Sequence, residues 1–323
     1  MNAFNILGVF SVAAALLASP ANAAEPYPSR PVTVVVPFAA GGAVDIMGRL
    51  MTEVLSKELS QPFIVENRPG GGGSIASNAV AKAPPDGYTL FVGSAGPMTV
   101  APALFPSAKL DPLAQFEPVI WFANTPGIVV ARNDISAHSM KELIALSKAS
   151  PGRITMASGG SGSILHLMGE YLQEQLGFKW THVPYKGSVP ALADMIAGQV
   201  DVMVDVVPTT APHVQSKSLR AIAVTTTKRS SQLPEVPTLA ELGYPGFDMG
   251  SWMALMAPKG TPVEIVERLN RILNDRLKTP ALRARLQSMG AEPEGGSPER
   301  VTERLREEIP RWAKIVASAG LRN

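Results

Sequence analysis

The chain has 323 residues, 46% hydrophobic and 17% charged, which is enough apolar material for more than one core. Its 29 basic and 27 acidic residues leave a formal net charge of +2, and no run of five basic residues occurs, which argues against a nucleic-acid partner. Cysteine is absent, which removes disulfides, thiolate metal sites and a lipid attachment point.

Residues 1–23 read as a signal peptide. "NILGVFSVAAALLA" is too short an apolar stretch to span a bilayer comfortably, and Ala21-Asn22-Ala23 fits the small-x-small cleavage rule. "MNAFN" carries no Lys or Arg, an atypical n-region. No later apolar run reaches membrane-spanning length, so the expected mature protein is not membrane-inserted and works in the periplasm.

Behind the leader, β-branched runs alternate with helix-period segments. "PVTVVVPF" predicts a strand, and "AVDIMGRLMTEVLSKELS" a helix with Val44, Met47, Met51, Val54, Leu55 and Leu59 on one face. "PFIVENR" is a strand, "GGGGSIASNAVAKA" a glycine loop opening a short helix, and "YTLFVGS" a strand. "PGIVVAR", "RITMASGG", "QVDVMVDV" and "LRAIAVTT" predict further strands, with helices at "SMKELIALSKAS" and "SILHLMGEYLQEQLG". "MGSWMALMAP" reads as a strand returning to the first unit, and three helical segments close the chain. Strands separated by helices imply parallel pairing and an α/β architecture. The expected domains are lobe 1 over 24–125 plus 249–323 and lobe 2 over 126–248, crossing near Asn124–Gly127 and Asp248–Ser251.

Two strand-to-helix loops share one design. Phe38-Ala39-Ala40-Gly41-Gly42 follows the first strand, and Ser158-Gly159-Gly160-Ser161-Gly162-Ser163 follows the "RITMA" strand. Each puts unpaired N–H groups and a positive helix end at a strand's C-terminal edge, an arrangement suited to an anion. A plain tight turn needs the same small residues. Asp45, in the first turn after its loop, reads as a capping carboxylate. His166 either reaches a ligand or bonds to a neighbouring loop.

Catalytic and cofactor motifs fail on inspection. Ser163 stands where Gly-x-Ser-x-Gly needs its last glycine. "RPGGGGS" has no following Lys, and Ile75 breaks a dinucleotide fingerprint. His138, His166, His182 and His213 have no metal-ligand spacing. No cofactor, no metal and no catalytic set is expected.

Ordered blocks along nearly the whole mature chain resemble the periplasmic receptors of tripartite tricarboxylate transporters, the Bug receptor family. They include "YPSRPVTVVVPFAAGGAVD", "IVENRPGGGGSIASNAVAKAPPDGYTL", "PGRITMASGGSGSILHLMGE", "THVPYKGSVPAL", "GQVDVMVD" and "LPEVPTLAELGYPGF". The resemblance implies a two-lobed, type II Venus-flytrap binding protein, monomeric and non-enzymatic, with a ligand cleft between its lobes. It implies capture of a small organic carboxylate and delivery to membrane transporter subunits. Carried over by position, it implicates Phe38, Ala40, Gly41, Gly42, Ser158, Ser161, Gly162 and Ser163 in holding the carboxylate. Ser94, in "VGSAGPMT", is expected to face the cleft, and Asp205 matches a cleft-facing acidic position suited to an amino group or hydroxyl. Ala39 and Ala43 stand where that first loop often has Pro and Thr, and Lys217 where Gly is common. The less polar cleft suggests an aromatic or longer-chain carboxylate. The alternatives are an exported esterase-like hydrolase using Ser161 or Ser163 with His166, and a receptor that signals to a membrane sensor.

Overall fold

The computed structural model describes residues 27–318, so the leader assigned to residues 1–23 lies outside the described residues. The chain opens with β1 (Val32–Val36), whose valines are almost wholly buried, and passes through a short loop into α1 (Ala43–Leu59). That helix ends at Ser60 in the left-handed conformation and packs tightly on the sheet. A Cβ on Gly48 would sit 3.0 Å from Val36 and 3.1 Å from Val92. β2 (Phe63–Asn67), α2 (Ser74–Ala81) and β3 (Thr89–Ser94) complete the first unit. β1 pairs in parallel with both β2 and β3, as strands joined by crossover helices do.

A π-turn at Gly96–Val100 leads through the short α3 (Ala101–Leu104) and α4 (Pro112–Gln115) into β4 (Phe116–Ala131). The sequence pattern predicted a strand only from Pro126. The strand in fact begins at Phe116, and irregularities between Pro118 and Ile120 and between Trp121 and Ala123 break the alternation that would have revealed it.

The second unit comprises α5 (Met140–Ala149), β5 (Thr155–Ser158), α6 (Ile164–Leu176), β6 (Thr181–Pro184), α7 (Ser188–Ile196), β7 (Val202–Val206), α8 (Val207–Gln215) and β8 (Arg220–Val224). β5 pairs in parallel with β6 and β7. The chain then returns as β9 (Gly250–Pro258) and closes with α9 (Val263–Leu277), α10 (Pro280–Ser288), β10 (Glu292–Pro293) and α11 (Glu299–Ser318).

The strand order is β2-β1-β3-β9-β4-β7-β5-β6, with β8 and β10 also pairing to β4. Both ends of this path are parallel. The middle is antiparallel, because β9 pairs with β3 and β4, and β4 pairs with β7. β4 pairs with β9 as far as Pro126 and with β7 and β8 from Gly127 onward. At this change of partner the backbones crowd: a Cβ on Gly127 would lie 2.9 Å from the Met249 carbonyl and against Met168 and Thr225. Thr225 locks the crossing, donating its N–H to the Gly127 carbonyl and its hydroxyl to that of Met249.

Candidate functional site

A narrow cavity of about 40 Å³ lies where β1, β3, β5 and β7 end. Four helices begin on its wall. Gly42, Ala43 and Val44 open α1, Ser163, Ile164 and Leu165 open α6, Gly187 and Ser188 open α7, and Val206 precedes α8. The first turn of each helix carries N–H groups without intrahelical acceptors and the positive end of the peptide dipoles. Among the described residues, no Lys, Arg or His side chain lines the cavity, and Asp205 is the one ionisable group there. The positive partial charges there are those of backbone N–H groups at the helix starts, and the Asp205 carboxyl opposes them.

The first loop is held from behind. Asp45 is buried and accepts the Gly41 N–H at 2.8 Å and the Arg49 Nε at 2.9 Å on one oxygen, and the Asn67 amide at 2.9 Å on the other. The same Asn67 amide donates to the Phe38 carbonyl at 2.9 Å. Burial alone would raise the Asp45 pKa, but the Arg49 guanidinium, the Gly41 N–H and the Asn67 amide outweigh it and hold the carboxyl below its ordinary value. Asp45 therefore closes its loop from outside the cavity, the capping role its position predicted.

The second loop rests on a histidine pair. Ser163 caps α6 by accepting the His166 N–H at 3.2 Å, which leaves its own hydroxyl proton free to donate. The His166 Nδ1 accepts the Gly162 N–H at 3.3 Å, and its ring stacks on His182 at 3.8 Å. His182 Nε2 lies 2.7 Å from the Ser158 hydroxyl. Desolvation, reinforced by His182, lowers the His166 pKa to about 3, and desolvation lowers that of His182 to about 4. Both rings are neutral at pH 7. The hydroxyls named in the hydrolase alternative make no bond to the His166 ring: Ser163 takes its backbone N–H, and the ring faces Gly162.

Asp205 is fully buried at the end of β7. One oxygen accepts the Ser188 hydroxyl at 2.9 Å and the Val206 N–H at 2.8 Å, and the other accepts the Thr209 hydroxyl at 2.9 Å. Burial pushes its pKa up to about 6, against the opposing pull of the Val206, Ser188 and Thr209 donors.

Of the ten residues singled out from sequence, Phe38, Gly42, Ser94, Ser163 and Asp205 line the cavity. The other five lie off its wall. Ala40 and Gly41 are exposed, with the Gly41 N–H given to Asp45. The Ser158 side chain is tied to His182 and Gly160 behind the loop. Ser161 and Gly162 face the first unit instead: a Cβ on Gly72 would lie 2.8 Å from the Ser161 carbonyl, and one on Gly162 2.6 Å from the Phe105 ring. Sequence reasoning missed Gly187, Ser188 and Ser251. Gly187 precedes α7, whose first turn is Ser188-Val189-Pro190, and a proline is tolerated there because those N–H groups have no intrahelical acceptor. Nothing local marks Ser251, which is brought in by the pairing of β9 with β3.

The model of the tripartite tricarboxylate transporter family receptor matches residues 47–321. The chain is 38% identical over 316 residues to protein BugT of Bordetella pertussis, covering 98% of this chain and 96% of that one. An R. palustris protein solved with adipate superposes with a TM-score of 0.88 at 37% identity, over 91% of this chain and 98% of that one. MatC from Rhodopseudomonas palustris, with bound malate, gives 0.85 at 37% identity over 90% of this chain and 100% of that one. The α/β fold is thus the two-lobed fold of periplasmic binding proteins. The chain belongs to the tripartite tricarboxylate transporter receptor family, among its Bug-type members, and is a solute-binding receptor.

Proposed function

We propose that this receptor works in the periplasm, captures a small organic carboxylate between its lobes and delivers it to membrane transporter subunits. The observation that carries this reading is the convergence of four helix N-termini on one cavity whose wall, among the described residues, has no cationic side chain. A carboxylate brought there meets oriented N–H donors and the Ser163 hydroxyl. The adipate and malate held by the two R. palustris proteins are of that class. Phe38, Gly42, Ser94, Ser163 and Asp205 are the predicted residues assigned to ligand contact, and Asp45 and His166 hold the two loops behind them. The lobes proposed are the described parts of 24–125 plus 249–323 and of 126–248, hinged where β4 changes partners.

The test uses protein unfolded and refolded to strip carried-over ligand, then heated with a panel of mono- and dicarboxylates. A ligand at 100 times its dissociation constant adds about 2.7 kcal/mol by mass action. Stabilisation by at least one carboxylate is the expected result, and native mass spectrometry of unstripped protein should find an organic acid. A flat panel together with an empty mass spectrum overturns the reading.

A further inference from the structure

β3 and β9 pair so that Ser94 lies opposite Met253, and Ser251 stands two residues before Met253 on β9. Cross-strand partners share a sheet face, as do residues two apart along a strand. Ser94, Ser251 and Met253 accordingly project from one face, and all three line the cavity. Ser94 is 1% exposed and Ser251 6%. Among the described residues, neither hydroxyl has a hydrogen-bond partner, and the bond recorded at Ser251 is to its backbone carbonyl, from Thr125.

The other two cavity serines each have a partner, although the Ser163 hydroxyl still has its proton to donate. Ser163 accepts from the His166 N–H, and Ser188 donates to Asp205. Both Ser94 and Ser251 line the cavity, so their hydroxyls are placed to pair with an atom that enters it. Ser94 and Ser251 come from the first unit's sheet, whereas three of the four helix starts, those of α6, α7 and α8, belong to the second unit. The two hydroxyls thus reach the cavity from the first unit's sheet, beside the backbone donors that suit a carboxylate.

We propose that Ser94 and Ser251 form a second, uncharged polar subsite that takes a neutral oxygen of the ligand, a hydroxyl or a carbonyl. This rests on the carboxylate reading and narrows it to short hydroxy- or oxo-monocarboxylates. Two features of the cavity select that class. Among the described residues no cation stands on the wall to balance a second carboxylate, and Asp205 already places a carboxyl group there. The space of about 40 Å³ matches a few water-sized positions at roughly 10–15 Å³ each, which favours a chain of a few carbons over the aromatic or longer acid suggested by the less polar sequence.

Calorimetric titration of the ligand-free protein tests this with matched sets: propionate, lactate and pyruvate, then butyrate, 3-hydroxybutyrate and acetoacetate, with malonate and succinate beside them. In the wild type, at least one oxygenated acid should bind about 10-fold or more tightly than its parent and more tightly than either dicarboxylate. Ser94→Ala and Ser251→Ala should each narrow that ratio, and the double variant should bring it below about 3-fold. Ser251→Cys, which keeps the volume, should narrow it equally, with thermal melts confirming that each variant is folded. Equal binding within every matched set, a preference that survives in the double variant, or tighter binding of a dicarboxylate overturns the subsite while leaving the carboxylate reading in place. No binding by any of the acids overturns the subsite as stated, and the broader panel above then decides whether the parent reading falls with it.

Discussion

Asp205→Asn should remove a pH-dependent part of the protein's stability. Asp205 is fully buried, and burial lifts its carboxyl from 3.8 to about 6. A raised folded-state pKa means that the folded protein holds this proton more tightly than the unfolded chain does. The stabilising contribution is fully present below pH 3.8 and is lost as the pH rises through about 6. A shift of about 2 units at 1.36 kcal/mol per unit gives a loss of about 3 kcal/mol. Urea melts of refolded, ligand-free wild type and D205N at pH values from about 4 to about 7.5 measure it. Their stability difference should move against the wild type by about that amount across the range. His166 and His182 act in the opposite sense. Their lowered values give stability that is present above 6.5 and lost as the pH falls through about 4 and about 3. Both proteins carry that pair, so it cancels in the difference. A difference that stays flat, or that moves in favour of the wild type with rising pH, refutes the linkage.

Two further perturbations address the loop and the crossing. Gly42 already has the proline-like φ of −76°, so Gly42→Pro removes an N–H from the start of α1 without forcing the backbone; carboxylate affinity should fall about 10-fold or more, while Gly42→Ala, which keeps the N–H, should retain binding. Titration of a stabilising carboxylate into both variants decides it, and equal affinities refute the role of that N–H. Gly127→Ala places a methyl against Met168, Thr225 and the Met249 carbonyl and should cost about 3 kcal/mol in urea melts, whereas a loss below about 0.5 kcal/mol would show that the crossing is not closely packed.

The β1–α1–β2–α2–β3 unit was legible because its β-branched runs and apolar helix faces have clean periods. β6 and α7 were not. β6 is a four-residue edge strand with exposed ends, too short and too weakly patterned to stand out. The loops themselves could be read from composition, but which of their N–H groups remain available depends on distant side chains. Gly41 gives its N–H to Asp45, and Gly162 gives its N–H to His166, so two prominent glycines leave the wall to less conspicuous neighbours. Ser94 and Ser251 are 157 positions apart in the chain and become neighbours only through antiparallel pairing.

β4 also constrains how the receptor moves. A flexible tether at the junction would let the two halves swing independently, but here sixteen residues of one strand pass from one set of hydrogen-bonded partners to another without a break. Under the two-lobe reading proposed above, movement of one half against the other would be taken up as twist and flexure of a paired ribbon. The link between the two halves is thereby carried by the backbone ladder itself and not by side chains alone.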